Sequence, residues 1–254
     1  MVTMLNKTEI LGVGFTTANE VKILEFILGK LSKSKKTLQR EDKITIFTSN
    51  PEQISAASRN VELRTLLNQA QINLPDGIGV AMGARLLGAP IYARITGVDF
   101  MQKLVKSISN QPVITGYLGG QEGVAKATAN CLKKKWPKLR VGYASSTYNR
   151  GKMIQSDIDI LFVALGFPKQ ERFIIDHKDE IPATVLMAVG GSFDYISGKI
   201  PRAPKFLRLA GLEWLFRLIL QPWRIFRQLQ ILHFGALIFW EALTSRLKKL
   251  RNEN

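Results

Sequence analysis

DIDILFVALGFPKQERFIIDHK, residues 157–178, decides how this chain folds. From Ile158 to Leu165 it is an apolar run too short for an interior helix and free of the polar alternation of a half-exposed strand, so it predicts a strand buried on both faces. Gly166 and Pro168 then punctuate the chain, and Lys169 to Lys178 has the periodicity of a helix. A doubly buried strand followed by a helix is half of a βαβ unit. The same order recurs on both sides of it. Strands are expected at Ile44 to Phe47, Gln71 to Leu74, Val113 to Leu118, Leu139 to Tyr143 and Thr184 to Val189. Helices are expected at Ala18 to Leu31, Val61 to Ala70, Gly79 to Leu87, Val98 to Ser107 and Glu122 to Lys135. The fold class is therefore α/β: a Rossmann-like, mostly parallel sheet with helices on both faces. SGKIPRAP, residues 197–204, separates an α/β body (1–198) from a basic, amphipathic helical C-terminal appendage (199–254).

The 254 residues carry 36 Lys plus Arg against 20 Asp plus Glu, a formal net charge of +16, and 46% are hydrophobic, which excludes a disordered chain. The single cysteine, Cys131, excludes an internal disulfide and a Cys-based zinc cluster and suits a reducing compartment. MVTMLNKTEI has no uninterrupted apolar core of about 7 to 15 residues, so no secretory signal is read and a cytoplasmic location is expected. From Lys199 onward the charge is +8, half the total on under a quarter of the chain. Phe206, Trp214, Phe216, Trp223, Phe226, Phe234, Phe239 and Trp240 lie in the same stretch among Leu and Ile. Basic, aromatic and apolar together predict an element that lies on an anionic membrane surface. Its longest nearly uncharged run, Gln228 to Trp240, has 13 residues where a spanning helix needs roughly 20. The competing destinations are the chain's own body or a second copy of it, as a homo-oligomer. Nucleic acid is not expected, because aromatics at helical spacing suit a buried face better than base stacking.

In such sheets ligands bind beyond the carboxyl ends of the strands. That rule selects Thr48-Ser49-Asn50, Pro75-Asp76-Gly77, Gly119-Gly120-Gln121 and Gly166 to Glu171, which includes Lys169 and Gln170. Gly119, Gly120 and Gly123 suit either a phosphate-binding helix start or a tight turn. They match neither a dinucleotide fingerprint nor a Walker loop, which disfavours NAD and ATP. Taken alone, Asp76 reads first as an N-cap, which Asp fills readily, with a carboxylate general base at the mouth of the sheet as the functional alternative. Asp157 and Asp159 imitate a metal-binding DxD pair but open a strand, at the end of the sheet opposite the site, so no metal is assigned. His177 and His233 have no partner at ligand spacing. Arg217, Arg224 and Arg227, spaced by seven and three, share a helical sector about 80° wide if the helix is continuous, a geometry suited to a diphosphate. Pro222 is expected to break or restart that helix.

Together TSN (48–50), PDGIGV (75–80), RITGVDF (94–100), YLGG (117–120), LGFPKQE (165–171), GGSFDYISG (190–198), RAP (202–204), GLEWLFRL (211–218) and QPWRIFR (221–227) resemble the WecG/TagA/CpsF family, glycosyltransferase family 26. The resemblance runs from about Ile10 to Arg227. It implies an inverting transferase without metal or cofactor, moving a sugar from a UDP-sugar onto a polyprenyl-diphosphate-linked sugar at the cytoplasmic face of the bacterial membrane. It makes Asp76 the base and Thr48 and Gln170 its neighbours, and it brings Arg217, Arg224 and Arg227 to a diphosphate. The matched motifs and strand ends add Asn50, Arg94, Gly97, Gly119, Gly120, Lys169, Glu171 and Arg202 as substrate-binding candidates. Two departures stand out. The stretch from Gly142 to Ile158 is short, leaving NRGKMIQSD where a covering helix is expected, and the segment after Arg227 has no identified counterpart. The competing class is a non-catalytic basic membrane- or nucleic-acid-binding module, against which Asp76, Thr48 and Gln170 argue.

Overall fold

The computed structural model describes residues 5–33, 43–91 and 94–252, and within them the side chains of residues 33, 224, 227, 228 and 248–252 lie outside the description. A hairpin of β1 (Lys7–Ile10) and β2 (Val13–Thr16) leads into α1 (Glu20–Lys33). Then come β3 (Ile44–Ser49), α2 (Pro51–Arg59), α3 (Val61–Asn68), β4 (Ile72–Pro75), α4 (Ile78–Leu86) and α5 (Gly97–Ile108). The second half holds β5 (Ile114–Gly119), α6 (Val124–Lys135), β6 (Arg140–Ser145), α7 (Arg150–Gln155), β7 (Ile160–Ala164), α8 (Lys169–His177), β8 (Val185–Ala188) and α9 (Ser192–Ile196). The appendage is α10 (Lys205–Leu209), α11 (Glu213–Leu220), a 3-10 turn at Pro222–Arg224 and α12 (Ile225–Asn252).

All six expected strands form one sheet in the order β4-β3-β8-β7-β5-β6, every pair parallel. Their residues alternate between two cores, as a doubly covered sheet requires. Ile160, Phe162, Val185 and Met187 pack with α1, α5 and α6. Leu161, Val163, Leu186 and Ala188 pack with α2, α3, α4, α8 and the hairpin. The chain leaves β3 toward the β4 edge and reaches β8 from the β7 side, so a crevice opens above the β3–β8 junction. The hairpin braces the β4 side: Asn73 donates its N–H to Thr16 Oγ1 at 3.2 Å and its side-chain amide to the Gly14 carbonyl at 2.9 Å.

NRGKMIQSD does retain a helix, the six-residue α7, capped by Asn149, whose side chain accepts the Lys152 N–H. Pro222 interrupts the appendage as expected. Consequently Arg217, Arg224 and Arg227 sit on three successive elements, and the common helical sector inferred for them does not exist. The long α12 is not a free arm. Phe234, Ile238 and Ala242, one face at a spacing of four, are buried. Phe234 and Ile238 lie over Gly83 of α4, where an added methyl would stand 3.1–3.2 Å from them. Ser55 of α2 donates to Gln230 at 2.9 Å and contacts His233 Nδ1 at 2.8 Å, which fixes the start of α12 on the body. Among the described residues no helix is long and apolar enough to cross a membrane.

Candidate active site

Two strand ends begin the site. β3 and β4 stay in register to their last residues, Thr48 beside Leu74 and Ser49 beside Pro75. The ladder continues one step further as Asp76 donates its N–H to the Ser49 carbonyl at 3.0 Å. Pro75 accepts from the Ile95 N–H at 3.0 Å, which draws the start of α5 alongside. Gly77, at φ +90°, takes the N-cap position of α4, a conformation that a side chain would strain. The capping role considered for Asp76 therefore falls to its neighbour. The Asp76 carboxylate instead accepts the N–H groups of Gly97 and Gly77 and faces a cavity of about 750 Å³ at the carboxyl ends of the strands.

Burial is the largest influence on Asp76 and pushes its carboxyl up to about 6; Arg94 opposes the shift, Glu213 adds to it, and the two N–H donors oppose it. At neutral pH the group is ionised yet more basic than a solvent-exposed aspartate. Thr48 is buried beside it, and its hydroxyl hydrogen is directed to the Ala188 carbonyl at 3.3 Å, which leaves the oxygen to act as an acceptor. The start of α5 is tight against this threonine: a methyl on Gly97 would stand 3.3 Å from Thr48 Cγ2. Asn50 lines the cavity while its side chain accepts the Gln53 N–H, capping α2.

Across the cavity, Gln170 projects from the first turn of α8. Its Oε1 accepts the Gly190 N–H at 3.1 Å and its Nε2 donates to Glu171 at 2.9 Å. Burial raises the Glu171 carboxyl to about 7, and the hydrogen bonds from Gln170 and from its own backbone N–H only partly offset this. Arg217 reaches in from α11. Its guanidinium lies 5.1 Å from the Tyr195 ring centroid, over the ring, and a methyl on Gly191 would come within 2.8 Å of it. Gly191 thus admits the arginine.

Thr48, Asn50, Asp76, Arg94, Gly97, Gln170 and Arg217 all line one cavity, although they come from points spread over the chain. The remaining sequence candidates are placed differently. Gly119, at φ +107°, has no room for a side chain against the Ala164 carbonyl, and Gly120 donates its N–H to that same oxygen at 2.8 Å. They make the tight turn, and neither lines the cavity. Lys169 is exposed outside it and Glu171 is buried behind it. Arg202 grips Asp99 through two contacts of 2.7 Å and Glu213 at 3.4 Å, joining the appendage to α5. Although burial opposes ionisation of Asp99, Arg202 and Thr96 hold its carboxyl down at about 2. The side chains of Arg224 and Arg227 lie outside the described residues. Asp159 accepts the Ile114 N–H at 2.7 Å at the amino end of the sheet, away from the cavity.

Tyr195, Gly191, Glu213 and Trp214 also line the cavity without having been singled out. Strand-end logic does not reach them, because they lie in the loop and helices beyond β8. The GGSFDYISG and GLEW motifs were the available signal.

The chain is 33% identical over 202 residues to an N-acetylglucosaminyldiphosphoundecaprenol N-acetyl-beta-D-mannosaminyltransferase of Bacillus subtilis strain 168, covering 77% of this chain and 79% of that protein. It is 35% identical over 192 residues to the protein of the same name from Bacillus spizizenii, covering 73% and 75% of the two chains. With that of Staphylococcus aureus strain NCTC 8325 it shares 31% identity over 231 residues, 87% of each. The model of the Glycosyl transferase WecG/TagA/CpsF family matches residues 8–251, almost all of the described chain, with both the cavity and the appendage inside the match. The chain therefore belongs to the WecG/TagA/CpsF family and is a glycosyltransferase.

Proposed function

We propose that this chain transfers N-acetylmannosamine or a related sugar, with inversion, from a UDP-sugar to an undecaprenyl-diphosphate-linked GlcNAc-type acceptor, without a metal or other cofactor, in the synthesis of a cell-surface polysaccharide or teichoic acid. The observation that carries this reading is the ionised, partly desolvated Asp76 in one cavity with Arg94 and Arg217. Inverting transfer needs a base on the acceptor side and positive charge where the diphosphate departs. Asp76 takes the acceptor hydroxyl proton as that oxygen attacks the anomeric carbon. The anomeric bond to UDP breaks on the opposite face of the sugar ring, and Arg217 meets the developing charge. Thr48 and Gln170 position the sugar between them, Thr48 as an acceptor and Gln170 as a donor. Asn50, Arg94 and Gly97 complete the wall.

The acceptor named for the relatives is a lipid, and the appendage suits a lipid surface. Phe206, Trp223, Phe226, Phe239 and Trp240 are all well exposed on it, as are Lys205 and Arg246. So much apolar surface interleaved with cations fits the headgroup region of an anionic leaflet better than bulk water. The enzyme is accordingly read as peripheral on the inner face of the bacterial plasma membrane. Incubating purified protein with a panel of UDP-sugars and a short-chain lipid-diphosphate-GlcNAc acceptor tests the reaction. Transfer of one sugar with release of UDP is expected, and no transfer from any UDP-sugar would refute it.

A further inference from the structure

Glu171 sits one layer behind the cavity, 1% exposed, with Oε2 lacking any hydrogen-bond partner among the described residues. A buried carboxyl with an orphaned oxygen opposes folding, and leucine would fill the same space without that penalty. The other oxygen accepts from the Gln170 Nε2 at 2.9 Å, its one side-chain partner, and among the described residues the only further donor to the carboxyl is the residue's own backbone N–H. A carboxamide offers one oxygen and two N–H donors. In Gln170 the oxygen is occupied by Gly190 and one N–H by Glu171, so one N–H remains for a ligand in the cavity that Gln170 lines. The backbone of Gly190 selects the oxygen end of the amide, and Glu171 selects the nitrogen end. Between them they exclude the rotated carboxamide.

We propose that Glu171 is a positioning residue that locks the Gln170 carboxamide with a single N–H presented to the sugar. The inference rests on Gln170 contacting the sugar, as argued above. The test is a double-mutant cycle on kcat with a UDP-sugar donor and the short-chain acceptor. Glu171→Leu is expected to lower kcat about 10-fold without lowering Tm, and Gln170→Ala at least as much. The double variant is expected to be no slower than Gln170→Ala, because Glu171 acts through the amide already removed. Glu171→Gln retains an acceptor oxygen and is expected within about threefold of the parent. If Glu171→Leu does not fold, Glu171→Met, equally without an oxygen, takes its place in the cycle. Losses that multiply in the double variant, parental kcat in the apolar variant, or a Glu171→Gln as slow as that variant would each overturn the proposal. Parental kcat in Gln170→Ala would instead overturn the site reading on which it stands.

Discussion

Replacing Asp76 by asparagine should make the protein more stable and nearly inactive at once. Asparagine has the same shape and keeps one oxygen for the Gly97 or Gly77 N–H, so the loop geometry should persist. The change removes a charge whose carboxyl is held at about 6 rather than near its ordinary 3.8. A rise of about two pH units corresponds to about 3 kcal/mol against the folded state once the group is ionised. The sign follows from proton binding: between pH 4 and 6 the folded state holds the proton more tightly, so stability falls as pH rises through that window. Weaker hydrogen bonds to a neutral amide will offset part of the gain. A net stabilisation of about 1–3 kcal/mol at pH 7 is expected, on the order of 2–10 °C in Tm for a chain of this length. Thermal melts of both proteins at pH 4, 5.5 and 7 should show the difference opening as pH rises and closing near pH 4. Transfer at pH 7 should fall by roughly 10²-fold or more, and the parent's own turnover should fall as pH drops through about 6. An Asp76→Asn variant that melts below the parent at pH 7, or that keeps near-parental turnover, would refute the reasoning.

Further expectations concern other parts of the molecule. Gly191→Ala places a methyl 2.8 Å from the Arg217 guanidinium at an ordinary φ, so it should cut turnover about as much as Arg217→Ala, with little change in Tm and no further loss when the two are combined. Phe234→Ala removes a 3%-exposed ring from the α12–α4 contact and should destabilise the whole fold by about 3–5 kcal/mol in denaturant melts; an unchanged midpoint would mean that α12 is dispensable to the body. Replacing the exposed Trp223, Phe226, Phe239 and Trp240 by serine should abolish sedimentation with anionic vesicles while leaving Tm and turnover on the short-chain acceptor within about twofold. EDTA should leave turnover unchanged, and activity that disappears with chelator and returns with manganese would overturn the metal-independent scheme.

Much of the fold was legible in the chain itself. A strand covered on both faces must be largely apolar without alternation, so IDILFVAL announces itself, and Gly or Pro lies just past the ends of β3, β4, β5, β7 and β8, whereas the edge strand β6, half exposed, runs out into Ser-Thr-Tyr-Asn. The hairpin was hidden. Its two-residue loop is Leu11-Gly12 with φ +51° and +77°, and leucine in the left-handed region carries none of the Asn-Gly or Asp-Gly signal. Helix α2 has its capping box written in Asn50 and Gln53, but the small residues Ser55 to Ser58 behind it give little apolar periodicity. Strand-end logic located Thr48, Asn50, Asp76 and Gln170, since the parallel sheet brings those ends to one side. Tertiary structure alone decided what each does there. Gly119 and Gly120 look as suited to a phosphate as any glycines in the chain, yet the neighbouring Ala164 carbonyl claims them, while Gly191 makes room for Arg217. The three spaced arginines suggested one helical sector that the turn at Pro222 abolishes. The middle of α12, residues 231–240, is apolar nearly all round, so periodicity there could not tell the face that packs on Gly83 from the face that stays exposed. Contact and desolvation arise between groups far apart in sequence; local pattern sets which elements form, and their packing sets which charge is buried, which amide is held and which face is left exposed.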